Sequence, residues 1–198
     1  MAQPARTRKR SEDRRGELIE ATLLSVGEAS SLDVTVGEIA RRAGVSSALA
    51  HHYFGGKDDL FIAAMRHLLT AFQRDVVARL SRAQSPKQRL FAIIAASFSD
   101  EQFEPSTVAA WTIFYAKSQS SPRYARLLNI YLKRLRSNLL HELRRLPTAE
   151  SPEHAAEAIG SMIDGLYLRQ GLQRAPADGP RCVAIANRLV ESLLTDGC

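Results

Sequence analysis

Apolar side chains recur at intervals of three and four residues along almost the whole chain, which is the spacing that one face of an α-helix produces. The first such stretch runs from about Ser11 to about Glu28. It is expected to bury one stripe of small and apolar residues: Leu18, Ala21, Thr22 and Ser25. No run alternates apolar and polar residues in the manner of a strand, and the sequence contains no internal repeat. The pattern therefore predicts an all-α fold.

Two short helices are predicted next, separated by a glycine. Thr35 stands three residues before Glu38, which is the spacing of a capping box at the start of a helix. Gly44 is expected to end that helix, because glycine accepts the left-handed backbone that a sharp reversal requires. Ser46 can start the following helix, which should end near Tyr53. Two short helices joined in this way predict a helix-turn-helix.

The second of these helices carries the side chains with binding chemistry. An apolar core shared by the two helices is expected at three positions: Ile39, Val45 and Leu49. The exposed positions should hold short or polar groups that can reach base edges or phosphates: Ser46, Ser47, His51 and His52. A helical hairpin with a purely structural role is the alternative at this point.

Prolines punctuate the rest of the chain and predict helices at about 87–100, 106–118, 122–146, 153–174 and 180–195. The last two helices have apolar faces that could pack against a second copy of the chain or serve the chain's own core. The residues concerned are Ala158, Ile159, Met162, Ile163, Leu166, Val183, Ile185, Leu189 and Leu193.

Charge and composition narrow the possible partners. The 198 residues carry a net charge of +6, and the first fifteen contain six basic residues against two acidic ones. This distribution favours a polyanionic partner and predicts a basic, disordered arm over residues 1–10. No apolar run approaches the roughly 20 residues that cross a bilayer, and the N-terminus lacks the apolar core of a signal peptide. A cytoplasmic protein without a membrane partner is expected.

Catalytic and metal-binding patterns are absent from the sequence. The five histidines do not adopt a metal-binding spacing with a carboxylate, and no nucleophile elbow or phosphate-binding glycine loop occurs. Cys182 and Cys198 cannot by themselves form a disulfide framework or a zinc site. No catalytic residue, metal or cofactor is therefore expected. A helical enzyme and a DNA-packaging protein that ignores base sequence remain as remote alternatives.

A second group of residues suggests a site for a small cation. One helical face carries three aromatic residues at i, i+3 and i+4: Trp111, Phe114 and Tyr115. Asp164 lies three residues before Tyr167 in an otherwise apolar helix. Aromatic faces beside a carboxylate suit a quaternary ammonium, which has no N–H to donate. The alternative is that the aromatics are core residues and that Asp164 bonds to a backbone amide or to Arg169.

The segment 35–60, TVGEIARRAGVSSALAHHYFGGKDDL, resembles the DNA-binding domain of the TetR family of bacterial transcriptional regulators. The positions that match the family pattern are Thr35, Val36, Ile39, Ala40, Ala43, Gly44, Val45, Ser46, Tyr53, Phe54, Lys57 and Leu60. Three positions depart from it. Ala48 stands where glycine is usual, Ala50 where leucine or isoleucine is usual, and His51 where a phosphate-contacting tyrosine is frequent.

The resemblance implies an N-terminal helix-turn-helix domain, here 11–57 with the motif at 34–53, and a helical regulatory and dimerisation domain at 58–198. It implies a homodimer on double-stranded operator DNA. Thr35 and Lys57 would hold phosphates, and His51 could still donate to one. The residues that would face the major groove are Ser46, Ser47, Leu49 and His52.

Two segments of the second domain, AAWTIFYAKSQSSPRYARLLNIYLKRLRSNLLHELRRL and MIDGLYLRQGL, are similar to the BetI-type repressors of the betaine pathway. This likeness implies a repressor of choline uptake and glycine betaine synthesis genes that choline, or a similar quaternary ammonium, releases from its operator. The cavity would be lined by Trp111, Phe114, Tyr115 and Tyr167, with Asp164 balancing the charge. A TetR-type repressor of another pathway, with another small cationic or hydrophobic effector, is the alternative.

Overall fold

A computed structural model describes residues 4–148, 151–173 and 176–194, with the backbone alone for residues 4–11. Its helices are α1 (Pro4–Ala29), α2 (Val36–Arg42), α3 (Ser47–Phe54), α4 (Lys57–Leu80), α5 (Pro86–Ser97), α6 (Pro105–Ser118), α7 (Pro122–Leu143), α8 (Pro152–Gly171) and α9 (Gly179–Leu193). A short 3₁₀ helix covers Asp100–Gln102. Apart from one isolated bridge between Thr148 and Leu194, these residues form no β-structure. The predicted all-α fold is confirmed.

The start of α1 differs from the prediction. The helix begins at Pro4 and not near Ser11. Proline is well suited to the first helical turn, and the arginines, lysine and alanine that follow it are good helix formers. The first three residues of the predicted arm and Cys198 lie outside the described residues.

The chain forms two compact units. The first consists of the residues up to Leu68 together with Pro105–Phe114. Within it, α2 packs on both α1 and α3. The predicted stripe of α1 is buried as expected, at Leu18, Ala21, Thr22 and Ser25. The remaining large core residues of this unit include Val26, Ile39, Leu60, Phe61, Met65 and Phe114.

The turn between α2 and α3 has the geometry that the sequence predicted. Gly44 has a φ of +65°, in the left-handed region that favours glycine. The amide of Val45 donates to the carbonyl of Ala40 at 2.9 Å, and the amide of Gly44 donates to the carbonyl of Arg41 at 3.2 Å. These two bonds are a Schellman motif, which satisfies the last carbonyls of α2. The turn therefore fixes the direction in which α3 leaves α2.

The second unit consists of Leu69–Glu104 together with the residues from Tyr115 onward. Helix α7 packs on α5 and α8, and α9 packs on α8 and α5. Leucine and isoleucine side chains from these helices form its core, among them Leu90, Ile93, Ile94, Leu139, Leu143 and Ile159. The described residues contain no helix that is both long and apolar enough to cross a membrane.

The apolar faces of α8 and α9 divide between the core and the surface. Ile159 and Ile163 are buried within the unit, together with Cys182, Ala186 and Val190. Ile185 is 43% exposed. The other predicted face residues are half-buried: Ala158, Met162, Leu166, Val183, Leu189 and Leu193. The alternative in which these faces serve the chain's own core therefore holds for their buried part, and packing against a second copy stays a prediction for the rest.

A buried carboxylate ties three helices of this unit together. Glu142 on α7 is only 1% exposed, and its carboxylate accepts from the Arg89 guanidinium at 2.6 Å and from Arg145 at 3.2 Å. Arg89, on α5, also donates to the carbonyl of Leu80 at the end of α4. Two arginines thus neutralise a buried charge, as a buried carboxylate requires, and Arg89 also satisfies a helix-end carbonyl.

Candidate functional site

Helix α3 presents the polar side chains that the sequence assigned to its surface. Ser46, Ser47, His51 and His52 are exposed, whereas Leu49 is half-buried. Ser46 is the N-cap, and its hydroxyl oxygen accepts from the Leu49 amide at 3.2 Å. Capping uses the oxygen lone pair and leaves the hydroxyl hydrogen able to donate elsewhere. The exposed face of α3 therefore offers donors and acceptors of the kind that read DNA.

Thr35 caps α2 in the predicted capping box. Its hydroxyl oxygen accepts from the Glu38 amide at 3.1 Å, and the O–H donates to the Glu38 carboxylate at 2.8 Å. The Thr35 amide donates to the same carboxylate at 2.6 Å. These bonds from Thr35 hold the pKa of the Glu38 carboxyl below its usual range. The Thr35 hydroxyl is thus engaged with Glu38, so a contact with phosphate would have to compete with the capping box.

His51 occupies the position at which the family often has a tyrosine. Its Nδ1 faces the carbonyl oxygen of Gly55, which has a φ of +84°. A carbonyl can only accept, so Nδ1 must carry the hydrogen in this contact. Nε2 is then an acceptor in the neutral ring and becomes a donor when the ring is protonated. The predicted hydrogen bond from His51 to a phosphate therefore requires the imidazolium form.

Two arginines that the sequence analysis did not single out fix the helix-turn-helix. Arg15 on α1 lies over the ring of Phe54, 4.5 Å from its centroid, and donates to the carbonyl of Tyr53 at 3.1 Å. A cation at the C-terminal end of α3 is favourable because the last carbonyls of a helix are partially negative. Arg42 on α2 forms a two-pronged ion pair with Glu28 on α1. Their separation in sequence leaves no local signal for either contact.

The departures from the family pattern are accommodated without strain. Ala48 is exposed, so its methyl group meets solvent, whereas Ala50 is fully buried. Ala40 on α2 is 1% exposed, and two alanines at these positions suit a short distance between α2 and α3. Lys57 is the first residue of α4 and is half-buried.

The residues that the sequence assigned to the cation site fall into two groups. Trp111 and Phe114 belong to the first unit, where both are buried and their rings meet edge to face at 5.7 Å. The second unit holds the other group, centred on Asp164. Its Oδ1 accepts from the hydroxyl of Tyr115 at 3.2 Å and from the hydroxyl of Tyr131 at 3.0 Å. We call Tyr115, Tyr131 and Asp164 the acidic cluster.

Burial gives the acidic cluster unusual electrostatics. Desolvation raises the pKa of Asp164, although the hydrogen bonds from both tyrosines oppose this shift by stabilising the ionised form. The pKa values of Tyr115 and Tyr131 are raised by burial and by the neighbouring Asp164 charge. Within the described parts of the chain, Asp164 forms no ion pair with a lysine, arginine or histidine. Among the described residues, hydrogen bonds from two neutral phenols stabilise this charge and no cation neutralises it.

Tyr131 is the member that sequence reasoning missed. It lies on α7, 33 residues before Asp164, and is 8% exposed. Its ring packs edge-on against Phe72 of α4. Tyr167, which the sequence paired with Asp164, donates instead to the carbonyl of Gln102 at 2.7 Å and stacks on Phe103. Neither a backbone amide nor Arg169 bonds to Asp164 among the described contacts.

Two grooves reach this region of the second unit. One, of about 240 Å³, lies between α7 and α8 and is lined by Asp164, Glu157, Lys133 and Arg136 among others. The predicted aromatic residues are not part of its lining. The other, of about 250 Å³, lies between α4 and α7, is mainly apolar and includes the ring of Tyr131. No cluster of residues suited to a metal ion occurs among those the structure describes.

Comparison with known families decides the class of protein. Residues 18–64 match the model of the bacterial regulatory proteins of the tetR family, and residues 86–195 match the C-terminal model of the BetI-type transcriptional repressors. The chain belongs to the TetR family. It is a transcriptional repressor with a BetI-type C-terminal domain. The resemblance seen in the helix-turn-helix motif and in the second domain is thereby confirmed.

Individual relatives of this TetR-family repressor cover nearly its whole length. It is 50% identical over 181 residues to the HTH-type transcriptional regulator BetI of Brucella anthropi, covering 91% of each chain. The protein of the same name from Rhizobium meliloti is 49% identical, covering 91% of this chain and 89% of its own. A Saccharomonospora viridis protein solved in complex with choline is 17% identical, with a TM-score of 0.84 over 93% of this chain and 100% of its own. At that identity, the last likeness shows the fold alone.

Proposed function

We propose that this TetR-family repressor responds to choline or a closely related quaternary ammonium. The observation that carries the proposal is the acidic cluster: a half-buried carboxylate that two phenols hold and that no described cation neutralises. A buried, unneutralised charge is costly, so a permanent cation gains free energy by pairing with it. The curated BetI relatives and the choline-bound structural neighbour support this choice of ligand.

The proposed consequence of binding is release from DNA. Choline would lower the affinity for the operator, and the controlled genes would be those of choline uptake and glycine betaine synthesis. A coupling free energy of about 1–3 kcal/mol is typical of such linkage, which corresponds to roughly 5- to 150-fold in affinity. Residues 11–57 would bind the operator and residues 58–198 would bind the effector.

The decisive measurement is the affinity of the purified protein for duplex from the region upstream of its own gene, with and without choline. We expect choline to weaken binding of the wild type, whereas Asp164→Asn should bind the duplex and ignore choline. Glu157→Gln is the matched control, because Glu157 is the other carboxylate of the α7–α8 groove and is exposed. A wild-type protein whose operator affinity is unchanged at millimolar choline would contradict the proposed effector.

The DNA contacts are proposed from the family pattern and the exposure of α3. Lys57→Ala should weaken binding to every duplex equally and reduce its salt dependence, because a phosphate contact carries no sequence information. His52→Ala should relax the base preference at one position of each half-site. Equal affinity of the wild type for operator and scrambled duplex at physiological salt would exclude a sequence-specific repressor.

A homodimer is proposed from the apolar surface that α8 and α9 leave uncovered. Ile185→Glu places a charge on an exposed position of that surface, so it should yield monomers without disturbing the fold. Val77→Glu is the matched control, since Val77 is 57% exposed on α4 and lies outside α8 and α9. A wild-type mass equal to one chain at micromolar concentration would refute the dimer.

The apolar groove between α4 and α7 favours a second candidate effector, a small hydrophobic molecule. Such a ligand would be insensitive to Asp164→Asn and sensitive to a bulky substitution at Val76, which is buried and lines that groove. The same operator assay therefore separates the two candidates.

A further inference from the structure

His51 is exposed on α3, and the protein fixes one of its two ring nitrogens. The carbonyl oxygen of Gly55 faces Nδ1 and is the only partner of His51 among the described contacts. Because that oxygen can only accept, the hydrogen of a neutral ring lies on Nδ1 and Nε2 carries a lone pair. Moving the hydrogen to Nε2 would turn the Nδ1 lone pair towards the carbonyl, so that two acceptors would face each other. The neutral ring therefore has no hydrogen to offer from Nε2.

The turn after α3 holds the Gly55 carbonyl in position. Gly55 is the C-cap of α3, and its amide donates to the carbonyl of His51 at 2.7 Å. Its φ of +84° lies in the left-handed region that favours glycine. The backbone bond and the Nδ1 contact thus join the same two residues. The choice between the two neutral forms of the ring is consequently imposed by the fold before any ligand arrives.

His51 lies towards the end of the helix that meets DNA. It follows Ser47 by one turn on the same face of α3, and both side chains are exposed. The N-terminal residues of a recognition helix contact base edges. The eight residues of α3 span about 12 Å, which is about the width of the major groove. A polar side chain one turn further along is therefore expected to meet the phosphates that border the groove.

The described contacts provide no carboxylate partner for a protonated His51. The carboxylate of Asp59 lies beside Gly55 but forms no ion pair with the ring. Charged or titratable groups on α3 and on the elements around it are Arg15 of α1, Glu38, Arg41 and Arg42 of α2, His52 of α3, and Lys57, Asp58 and Asp59 of α4. A bound phosphate is both an acceptor and an anion, so it stabilises the imidazolium in a way that no described contact of the free protein does.

A hydrogen bond from His51 to DNA therefore requires a proton from solution. A phosphate oxygen can only accept, and Nε2 can donate to it only in the imidazolium, while Nδ1 keeps its bond to Gly55. We propose that His51 is a proton-coupled phosphate contact, so that each half-site of the operator is bound with uptake of a proton at this ring. This inference rests on the proposed DNA contacts of α3.

The coupling gives operator affinity a pH dependence of definite sign. Binding takes up protons, so the affinity rises on acidification and levels off where the ring is already protonated in the free protein. Where the free ring is neutral, the affinity falls as the pH rises, by up to about tenfold per pH unit for each proton taken up.

The test is calorimetric titration of the full-length protein with duplex from the region upstream of its own gene, in Hepes and in Tris at equal pH and ionic strength. These buffers differ in their enthalpy of ionisation, so the difference between the two binding enthalpies gives the number of protons taken up. His51→Gln should take up fewer protons than the wild type, by up to one per half-site, because a glutamine amide donates to phosphate while neutral.

His67→Gln is the matched control for the loss of a histidine. His67 is exposed on α4, ten residues after Lys57, which places it about 15 Å further along that helix. Its proton uptake should equal that of the wild type. His51→Tyr is the second variant, since a phenol also donates without taking up a proton. It decides the result if His51→Gln fails to bind the duplex.

The outcomes separate this inference from the proposed function. Proton uptake that is equal in the wild type and the His51 variants would overturn the coupling at His51 and leave a sequence-specific repressor standing. A wild type that binds the upstream duplex no more tightly than a scrambled one would overturn the proposed DNA contacts and this inference with them. Uptake that falls in both His51 variants but not in His67→Gln supports the proposal.

Discussion

The helix ends of the helix-turn-helix and the acidic cluster are held by contacts of very different range. In the first, the bonds that define the helix ends join residues three to five positions apart, such as Thr35 with Glu38 and Val45 with Ala40. In the second, Asp164 is bonded to residues 33 and 49 positions away. The first arrangement repeats a local motif of the chain, whereas the second exists only after α6, α7 and α8 have packed.

This difference explains why one region carries a strong motif and the other does not. A cap or a left-handed glycine constrains the residues next to it, so a binding surface on α3 imposes a recognisable spacing on the sequence. A buried carboxylate needs donors from any direction, and any suitably placed tyrosine can supply them. Four predictions probe short-range and long-range contacts and so sharpen the comparison; they are given in order of decreasing expected effect.

The largest effect is expected at the buried ion pair of the second unit. Glu142→Ala should lower the free energy of unfolding by about 3–5 kcal/mol, because the variant leaves the Arg89 guanidinium without its carboxylate. Thermal or urea unfolding measures the change. Glu153→Ala is the control: it removes the carboxylate of an exposed ion pair with Arg144 and should leave the midpoint of unfolding unchanged. Equal shifts in both variants would show that the long-range pair contributes no more than a surface contact.

Two glycines of α1 provide the next test. A Cβ at Gly27 would lie 2.7 Å from the backbone Cα of Ser106, whereas one at Gly16 meets no atom within 4 Å. Gly27→Ala should therefore destabilise the protein by about 1–3 kcal/mol. Gly16→Ala should stabilise it by about 0.5–1 kcal/mol, since alanine favours the helix. Unfolding midpoints that move in the same direction for both variants would contradict the close approach of α1 and α6.

The third expectation concerns the pH dependence of choline binding. Choline pairs with the ionised form of Asp164, and burial raises the pKa of that carboxyl in the free protein. The affinity should be constant above this raised pKa and fall about tenfold for each pH unit below it. Calorimetric titrations across the acidic range measure the slope. Asp164→Asn should bind weakly with no such slope, and a wild-type affinity independent of pH would exclude pairing with this carboxylate.

The smallest effect is expected from a helix cap. Thr35→Ala removes the N-cap of α2 and should cost about 1 kcal/mol of stability, together with a loss of operator affinity. Ser85→Ala removes the N-cap of α5 in the second unit and should cost a similar amount while leaving operator affinity intact. Operator binding that falls equally in both variants would mean that the effect is one of general stability and not of the α2 cap.

Several features of the fold were predictable because each depends on neighbours in the sequence. The ends of α2 and α3, the capping box at Thr35 and the left-handed Gly44 all follow from side chains within a few positions. The helix boundary that differs most from its prediction is the start of α1, where the charged residues are good helix formers. Helical periodicity likewise predicted the buried stripe of α1.

Only the tertiary structure decided which distant residues meet. It brought Tyr131 to Asp164, directed Tyr167 to the Gln102 carbonyl, and placed Arg15 on Phe54 at the end of α3. It also divided the apolar faces of α8 and α9, burying Ile163 and exposing Ile185. The sequence by itself determined the all-α class, the helix-turn-helix and the family, because short-range hydrogen bonds and backbone preferences leave fixed spacings. Long-range packing leaves no such spacing, since each contact depends on how the helices pack and not on their distance along the chain.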